Sequence, residues 1–268
     1  MVESYIHGYD QRESVRLQDQ ANTLVELLHR DTAYPENATV LEAGCGVGAQ
    51  TITLARNSPK AKIMSIDISE ASIAQARETI ETAGFHNVSF QQGDIFNLDF
   101  APHSFDHLFI CFVLEHLPEP EEALKSLKRL LKPGGTVTVI EGDHGSAYFY
   151  PDSEFARRAV QCQIDLQAKA GGNALIGRAL YPLLRQAGFI DVHVSPKMVY
   201  VDSSKPEWVD GFTRKTFTAM VEGIRKEVLE EQLMNESDFD RGIADLYHAA
   251  ETDGVFCYTF FKAVGVTR

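Results

Sequence analysis

Short apolar runs, several of them ending in an acid, recur through the first half of the chain, and segments with helical spacing separate them. Val40-Leu41-Glu42 is the first run, with helical character from Ala49 to Arg56 behind it. Ile63-Met64-Ser65-Ile66-Asp67 is the second. Val88-Ser89-Phe90-Gln91, leading into Gly93-Asp94-Ile95, is the third, and Phe105 to Val113 the fourth. A helix is predicted from Pro120, a residue tolerated in a first helical turn, to Leu131. The turn Lys132-Pro133-Gly134-Gly135 and a fifth strand, Thr136 to Ile140, follow. Apolar runs of this length alternating with helices argue for an α/β fold, a parallel sheet covered on both faces.

Upstream, Asp10 to Arg30 reads as an amphipathic helix, with Asp10 and Glu13 placed as a capping box. Beyond Glu141 the alternation breaks. Residues 142–177 are expected to form an insertion with one helix, Ser153 to Lys169. Helix Arg178 to Ala187, closed by Gly188, and strand Ile190 to Val201 come next. Residues 203–250 read as a second, interrupted helical insertion, and Gly254 to Phe261 as the last strand. With no repeat, low-complexity tract or linker, residues 1–268 are expected to be one domain: an arm and helix (1–30), a cofactor-binding half (31–141) and two insertions (142–177 and 203–250).

The chemistry concentrates in Glu42-Ala43-Gly44-Cys45-Gly46-Val47-Gly48. Glycine lets backbone turn sharply and approach a ligand without a Cβ in the way. As a bare pattern, Gly44-x-Gly46-x-x-Ala49 also passes a relaxed dinucleotide fingerprint, in which a helix N-terminus receives a pyrophosphate. Glu42 argues against that reading, because a carboxylate repels a pyrophosphate and suits an ammonium group. A nucleoside with a positively charged amino-acid tail, such as S-adenosylmethionine, fits better. Asp67 stands where nucleotide folds place the ribose-binding carboxylate, and an ionised carboxylate accepts from two vicinal hydroxyls at once. Asp94 can offer a carboxylate to an exocyclic amine, and Ile95 an aliphatic wall to a purine.

Taken in order, the Glu42–Gly48 loop, Asp67, Gly93-Asp94, Leu114-Glu115-His116-Leu117 and Leu131-Lys132-Pro133-Gly134-Gly135 resemble the motifs of Rossmann-like (class I) S-adenosylmethionine-dependent methyltransferases. The closest look is to the ubiquinone/menaquinone-methyltransferase-like and small-molecule group. The resemblance implies a doubly wound, seven-stranded, mostly parallel sheet with an antiparallel last strand and helical insertions after strands 5 and 6 that form the acceptor side or lid. It also implies S-adenosylmethionine bound with its ribose on Asp67, its adenine beside Asp94 and Ile95, and its amino-acid end over Gly44, Cys45, Gly46 and Gly48. Glu42, Ile68, Gly93, Cys111 and Phe112 complete that cofactor set. The N-terminal arm is expected to fold over the cofactor, with Tyr5 as cover and Arg16 on its carboxylate. Ligands of such sheets bind where strands end at their carboxyl side, which adds Cys111–His116 and Glu141–His144 to one mouth. His116 and His144 are the candidate bases, since histidine titrates near neutrality. Alternatives from other classes are an aminopropyltransferase, a nicotinamide oxidoreductase on the same fold, and a catalytically silent S-adenosylmethionine-binding partner protein.

Composition narrows the partners. The hydrophobic content of 44% supports a packed core, and the formal charge of −13 is a poor match to nucleic acid. The Asn/Asp-Pro-Pro-aromatic run of base-directed amino-methyltransferases is missing; Cys111-Phe112-Val113-Leu114 stands in its place. A small-molecule acceptor is therefore expected, with Tyr148, Phe149, Tyr150, Trp208, Phe212 and Phe217 as candidates to line its site. Cysteines at 45, 111, 162 and 257 have no metal-ligand spacing, so reduced thiols, no metal and a cytoplasmic location are expected. No apolar run is long enough to span a bilayer. The acceptor, the methylated atom and the oligomeric state are not legible.

Overall fold

The computed structural model describes residues 23–268. The arm with Tyr5, and the part of the first predicted helix that carries Arg16, lie outside the described residues. Residues 23–29 are helical, with Leu24 and Leu28 buried.

Seven strands follow: β1 (Thr39–Ala43), β2 (Lys62–Asp67), β3 (Val88–Gln92), β4 (Phe105–Cys111), β5 (Leu131–Tyr150), β6 (Ile190–Asp202) and β7 (Val255–Val266). The principal helices are α1 (Thr51–Asn57), α2 (Glu70–Thr82), α3 (Pro120–Lys128), α4 (Glu154–Lys169), α5 (Leu180–Gln186) and α6 (Glu236–His248). The strands form one sheet in the order β3-β2-β1-β4-β5-β7-β6. β1 pairs in parallel with both β2 and β4, so the winding reverses beside β1, where an open sheet of this kind leaves a crevice. β2–β3 and β4–β5 are also parallel. β7 runs against β5: just past the end of β7 the Thr267 carbonyl accepts the Gly134 amide at 3.1 Å and the Thr267 amide donates to the Gly135 carbonyl at 2.9 Å, while farther along β5 the Ser146 hydroxyl accepts the Thr259 amide at 2.9 Å. The expected fold class, mostly parallel with an antiparallel last strand, is the observed one.

The residues divide into two compact units. The first comprises Val25–Glu141, Ile176–Pro196 and Phe261–Arg268. Its core sets Leu41, Ile66, Leu108, Ile110, Val137 and Val139 of the strands against Leu124 and Leu127 of α3 and Leu180 and Leu184 of α5. β1 is buried over most of its length, as a strand covered on both faces must be. α2 begins at Ser69, whose hydroxyl accepts the Ser72 amide at 3.2 Å, and buries Ile73, Ala76 and Ile80 at helical spacing. Buried Lys262 of β7 donates to the Leu28 carbonyl (3.2 Å), Asp31 Oδ1 (2.5 Å) and Thr32 Oγ1 (2.6 Å).

The second unit contains Gly142–Leu175 and Lys197–Phe260. Phe212, Phe217, Phe256, Tyr258 and Phe260 interlock there with ring centroids 4.7–5.9 Å apart, a favourable separation for offset and edge contacts. α4 and α6 approach closely at Gly242, where a Cβ would lie 2.6 Å from the Phe155 carbonyl oxygen.

Several boundaries differ from the sequence expectation. β5 runs from Leu131 to Tyr150, so the Lys132–Gly135 segment lies within the strand and the first insertion begins as its continuation. Gly142, Gly145 and the polar residues between them read as a loop, but pairing with β7 supplies the ladder. β7 likewise extends to Val266. Arg178 falls in a 3₁₀ turn, Ile176–Ala179, that precedes α5. The second insertion contains a π-helix, Val209–Thr218. Phe212 and Phe217 of that segment are core residues, whereas Tyr148 and Tyr150 are exposed. No helix among the described residues is long and apolar enough to cross a membrane.

Candidate active site

The loop after β1 is shaped by three left-handed glycines, with φ of +79° at Gly44, +51° at Gly46 and +84° at Gly48. The Gly44 and Cys45 amides donate to the Ile66 carbonyl at 2.8 and 2.9 Å, locking the loop onto β2. A Cβ at Gly48 would lie 3.0 Å from Ala76 Cα, so this glycine lets α2 pack against the loop. At Gly46 a Cβ would meet no atom of the described residues within 4 Å, and the Gly46 amide donates to Asp67 Oδ2 at 2.9 Å. Gly46 is thus the point where the loop turns bare backbone outward.

Asp67 ends β2 and is held from two sides: Oδ2 by Gly46 and Oδ1 by the Ser69 amide at 2.9 Å. A carboxylate has about four acceptor positions, so two hydroxyl donors can still be accommodated on a group whose orientation is already set. Gly93, at the next strand end, donates its amide to the Asp67 carbonyl at 2.9 Å, and a Cβ on it would lie 2.9 Å from Leu98 Cδ2. Asp94 is exposed and accepts the Phe96 amide at 2.9 Å. Ile95 is half-buried against the core, and Ile68 is exposed.

Glu42 is buried, and its Oε2 accepts the hydroxyls of Thr51 (2.8 Å) and Ser65 (2.6 Å). It therefore clamps β1 to β2 and to the start of α1, while no bond from the described residues falls on Oε1. Burial pushes this carboxyl up to about 7, against the pull of the two hydroxyls. Burial also raises the thiols of Cys45 and Cys111, which makes them small neutral groups.

Beyond β4, Phe112 adopts φ +58° and donates its amide to the Ile140 carbonyl at 2.9 Å. A 3₁₀ turn, Leu114–His116, follows, in which His116 Nε2 lies 3.6 Å from Glu115 Oε1. The Val113 and Leu114 amides donate to Glu141 Oε1 at 3.0 and 2.8 Å. The sequence puts Glu141 at the mouth, directly after the predicted fifth strand, but carries no sign that its carboxyl receives two amides from the turn after β4.

The first unit thus brings together Glu42, Gly44–Gly48, Asp67, Ile68, Gly93–Ile95 and Cys111–His116 on adjacent strand ends. His144 belongs to the second unit. There it is buried, its Nδ1 lies 2.9 Å from the Tyr258 hydroxyl, and Phe217 stands edge-on with centroids 6.2 Å apart. Gly142 makes room for that hydroxyl, which a Cβ would overlap. Asp143 Oδ1 accepts the Gly145 amide at 3.1 Å.

An uncharacterised 37.1 kDa protein in transposon Tn4556 of Streptomyces fradiae is 34% identical over 188 residues, covering 69% of this chain and 53% of that protein. A demethylmenaquinone methyltransferase of Staphylococcus aureus is 32% identical over 134 residues, 50% of this chain and 55% of the enzyme. The chain spans about half the length of these curated relatives. Among solved structures, phosphoethanolamine N-methyltransferase 2 of Haemonchus contortus, complexed with phosphomonomethylethanolamine and S-adenosylhomocysteine, superposes with a TM-score of 0.56 at 16% identity, covering 93% of this chain and 53% of that one. At that identity the likeness speaks for the fold alone. Residues 35–188 match the family model described as a methyltransferase domain. That stretch runs from β1 to the end of α5 and contains every strand-end residue of the first unit's site, so the chain belongs to the methyltransferase-domain family.

Proposed function

We propose that this protein transfers a methyl group from S-adenosylmethionine to a small-molecule acceptor. The observation that carries the reading is Asp67, whose carboxylate is oriented by Gly46 and Ser69 beside a half-buried glycine backbone. When bound, S-adenosylmethionine supplies an electrophilic methyl group on a sulfur that leaves as a neutral thioether. The residues present suit such a ligand: Asp67 for the vicinal hydroxyls, Asp94 and Ile95 for the adenine, and Gly44–Gly48 with Oε1 of Glu42 for the charged amino-acid end.

The protein then has no oxyanion to stabilise. Its task is to align acceptor and methyl carbon and to exclude water, an effect worth up to roughly 7–11 kcal/mol in well-oriented systems. The turn that bears His116 lies at the carboxyl end of β4, and His116 is the proposed base where the acceptor must lose a proton. His144 is the second proposed base. The net charge of −13 supports an uncharged or cationic acceptor over a polyanion. Four free cysteines support a reducing compartment.

The test incubates the full chain with methyl-labelled S-adenosylmethionine and a small-molecule extract, and calorimetry measures S-adenosylhomocysteine binding. Label in one metabolite with release of S-adenosylhomocysteine is the expected result. Binding without transfer would favour a silent binder, and no binding at all would defeat the proposal.

A further inference from the structure

We propose that Glu141 is a positioning residue for methyl transfer, holding the Phe112–His116 turn against the glycine loop through its single acceptor oxygen, Oε1. The inference rests on the methyltransferase reading above. A helical turn begins with amides that lack intrahelical partners, and a Ser, Thr, Asp or Asn at its N-cap commonly supplies one. The Leu114–His116 turn starts instead at Val113, which has no side-chain acceptor and makes no cap bond. Glu141, reaching across from β5, takes that part by accepting the Val113 and Leu114 amides at 3.0 and 2.8 Å. With Phe112 donating to the Ile140 carbonyl at 2.9 Å, three consecutive amides are bound to two adjacent residues of one strand.

That triple attachment accounts for the backbone of Phe112. A left-handed φ of +58° is unfavourable for a bulky side chain, and such residues persist where their surroundings over-determine them. The consequence reaches the cofactor loop through Val113. Its side chain occupies the space over Gly44 that a Cβ would need. Displacing the turn therefore disturbs the glycine loop as well as His116.

Glu141 acts as an acceptor and not as a charge. Its side chain is fully buried, and Oε2 has no hydrogen-bond partner among the described residues. Burial and the neighbouring Glu115 carboxylate favour its protonated form, in which one oxygen still receives both amides. An unpartnered buried anionic oxygen would be far more costly.

Two variants of the full chain test this. Glu141→Met fills the volume without a strong acceptor, and Glu141→Gln keeps one carbonyl oxygen. Amide exchange at 113 and 114 and the dissociation constant for S-adenosylhomocysteine are read in both. In the Met variant exchange should accelerate, and binding weaken, by about tenfold, the scale of a lost buried hydrogen bond; Gln should restore both to within a few-fold of wild type. A Met variant with wild-type exchange and affinity overturns the proposal, as does a Gln variant as impaired as Met. Glu141→Leu substitutes should the Met variant fail to fold. A wild type that does not bind S-adenosylhomocysteine would defeat the proposed function, leaving amide exchange to decide the role of Glu141.

Discussion

Gly44 and Val113, on loops that follow different strands, occupy one space: a Cβ on residue 44 would overlap Cγ2 of Val113. Gly46, two residues on, has a left-handed φ of +51° but open space where its Cβ would be. Gly44→Ala should therefore cost about 2–4 kcal/mol of folding stability, combining backbone strain with overpacking. Gly46→Ala should cost only about 1–2 kcal/mol, the price of the left-handed conformation. Urea denaturation separates the two, and equal losses would contradict the packing described.

Asp67 organises the neighbouring loop before any ligand arrives. Asp67→Ala should weaken S-adenosylhomocysteine binding by roughly 1.5–3 kcal/mol through the loss of charge-assisted bonds. Isothermal calorimetry on wild type and variant gives the difference. Unchanged affinity would remove the ribose from Asp67.

Glu42 should make binding of the proposed cofactor pH-dependent. Without ligand its carboxyl titrates near 7 because burial disfavours the ionised form, whereas a ligand ammonium favours that form. Below about pH 7 binding must expel a proton, so affinity for S-adenosylmethionine should climb with pH toward 7 and level off until the ligand amine itself deprotonates near 8. Glu42→Gln should flatten that rise. Calorimetry at pH 6 in two buffers of different ionisation heat counts the proton, and a count of zero would separate Glu42 from the ligand amine.

His29 gives folding stability its own acid-side dependence. It is buried, its Nε2 lies 2.8 Å from Gln50 Oε1, and burial lowers its pKa to about 4. As pH falls from 6.5 the unfolded chain takes up a proton that the folded ring refuses, so stability declines, by up to about 3 kcal/mol at pH 4. His29→Gln should remove this component. The difference between wild-type and variant denaturation midpoints should shrink from pH 7 to pH 4; a constant gap would refute the assignment.

The sequence by itself determined what is local. Three closely spaced glycines suit a tight loop with left-handed backbone, and short apolar runs ending in Glu42 and Asp67 between helical segments suit strands that deliver acids to one end of a sheet. Helix α4 is legible in the same way: the expected Ser153 to Lys169 matches a helix over Glu154–Lys169 with Ser153 as its N-cap. Tertiary structure decided what depends on partners far along the chain. Whether Gly142 to Tyr150 is loop or strand turns on pairing with β7, more than a hundred residues later. Lys262, just past the predicted last strand, gives no sign in the sequence of the acceptors that Leu28, Asp31 and Thr32 supply to it. Glu141 looks like a strand terminus until β4 brings two amides to it. A hydrogen bond is specified by both of its ends, and only the fold brings distant ends within reach.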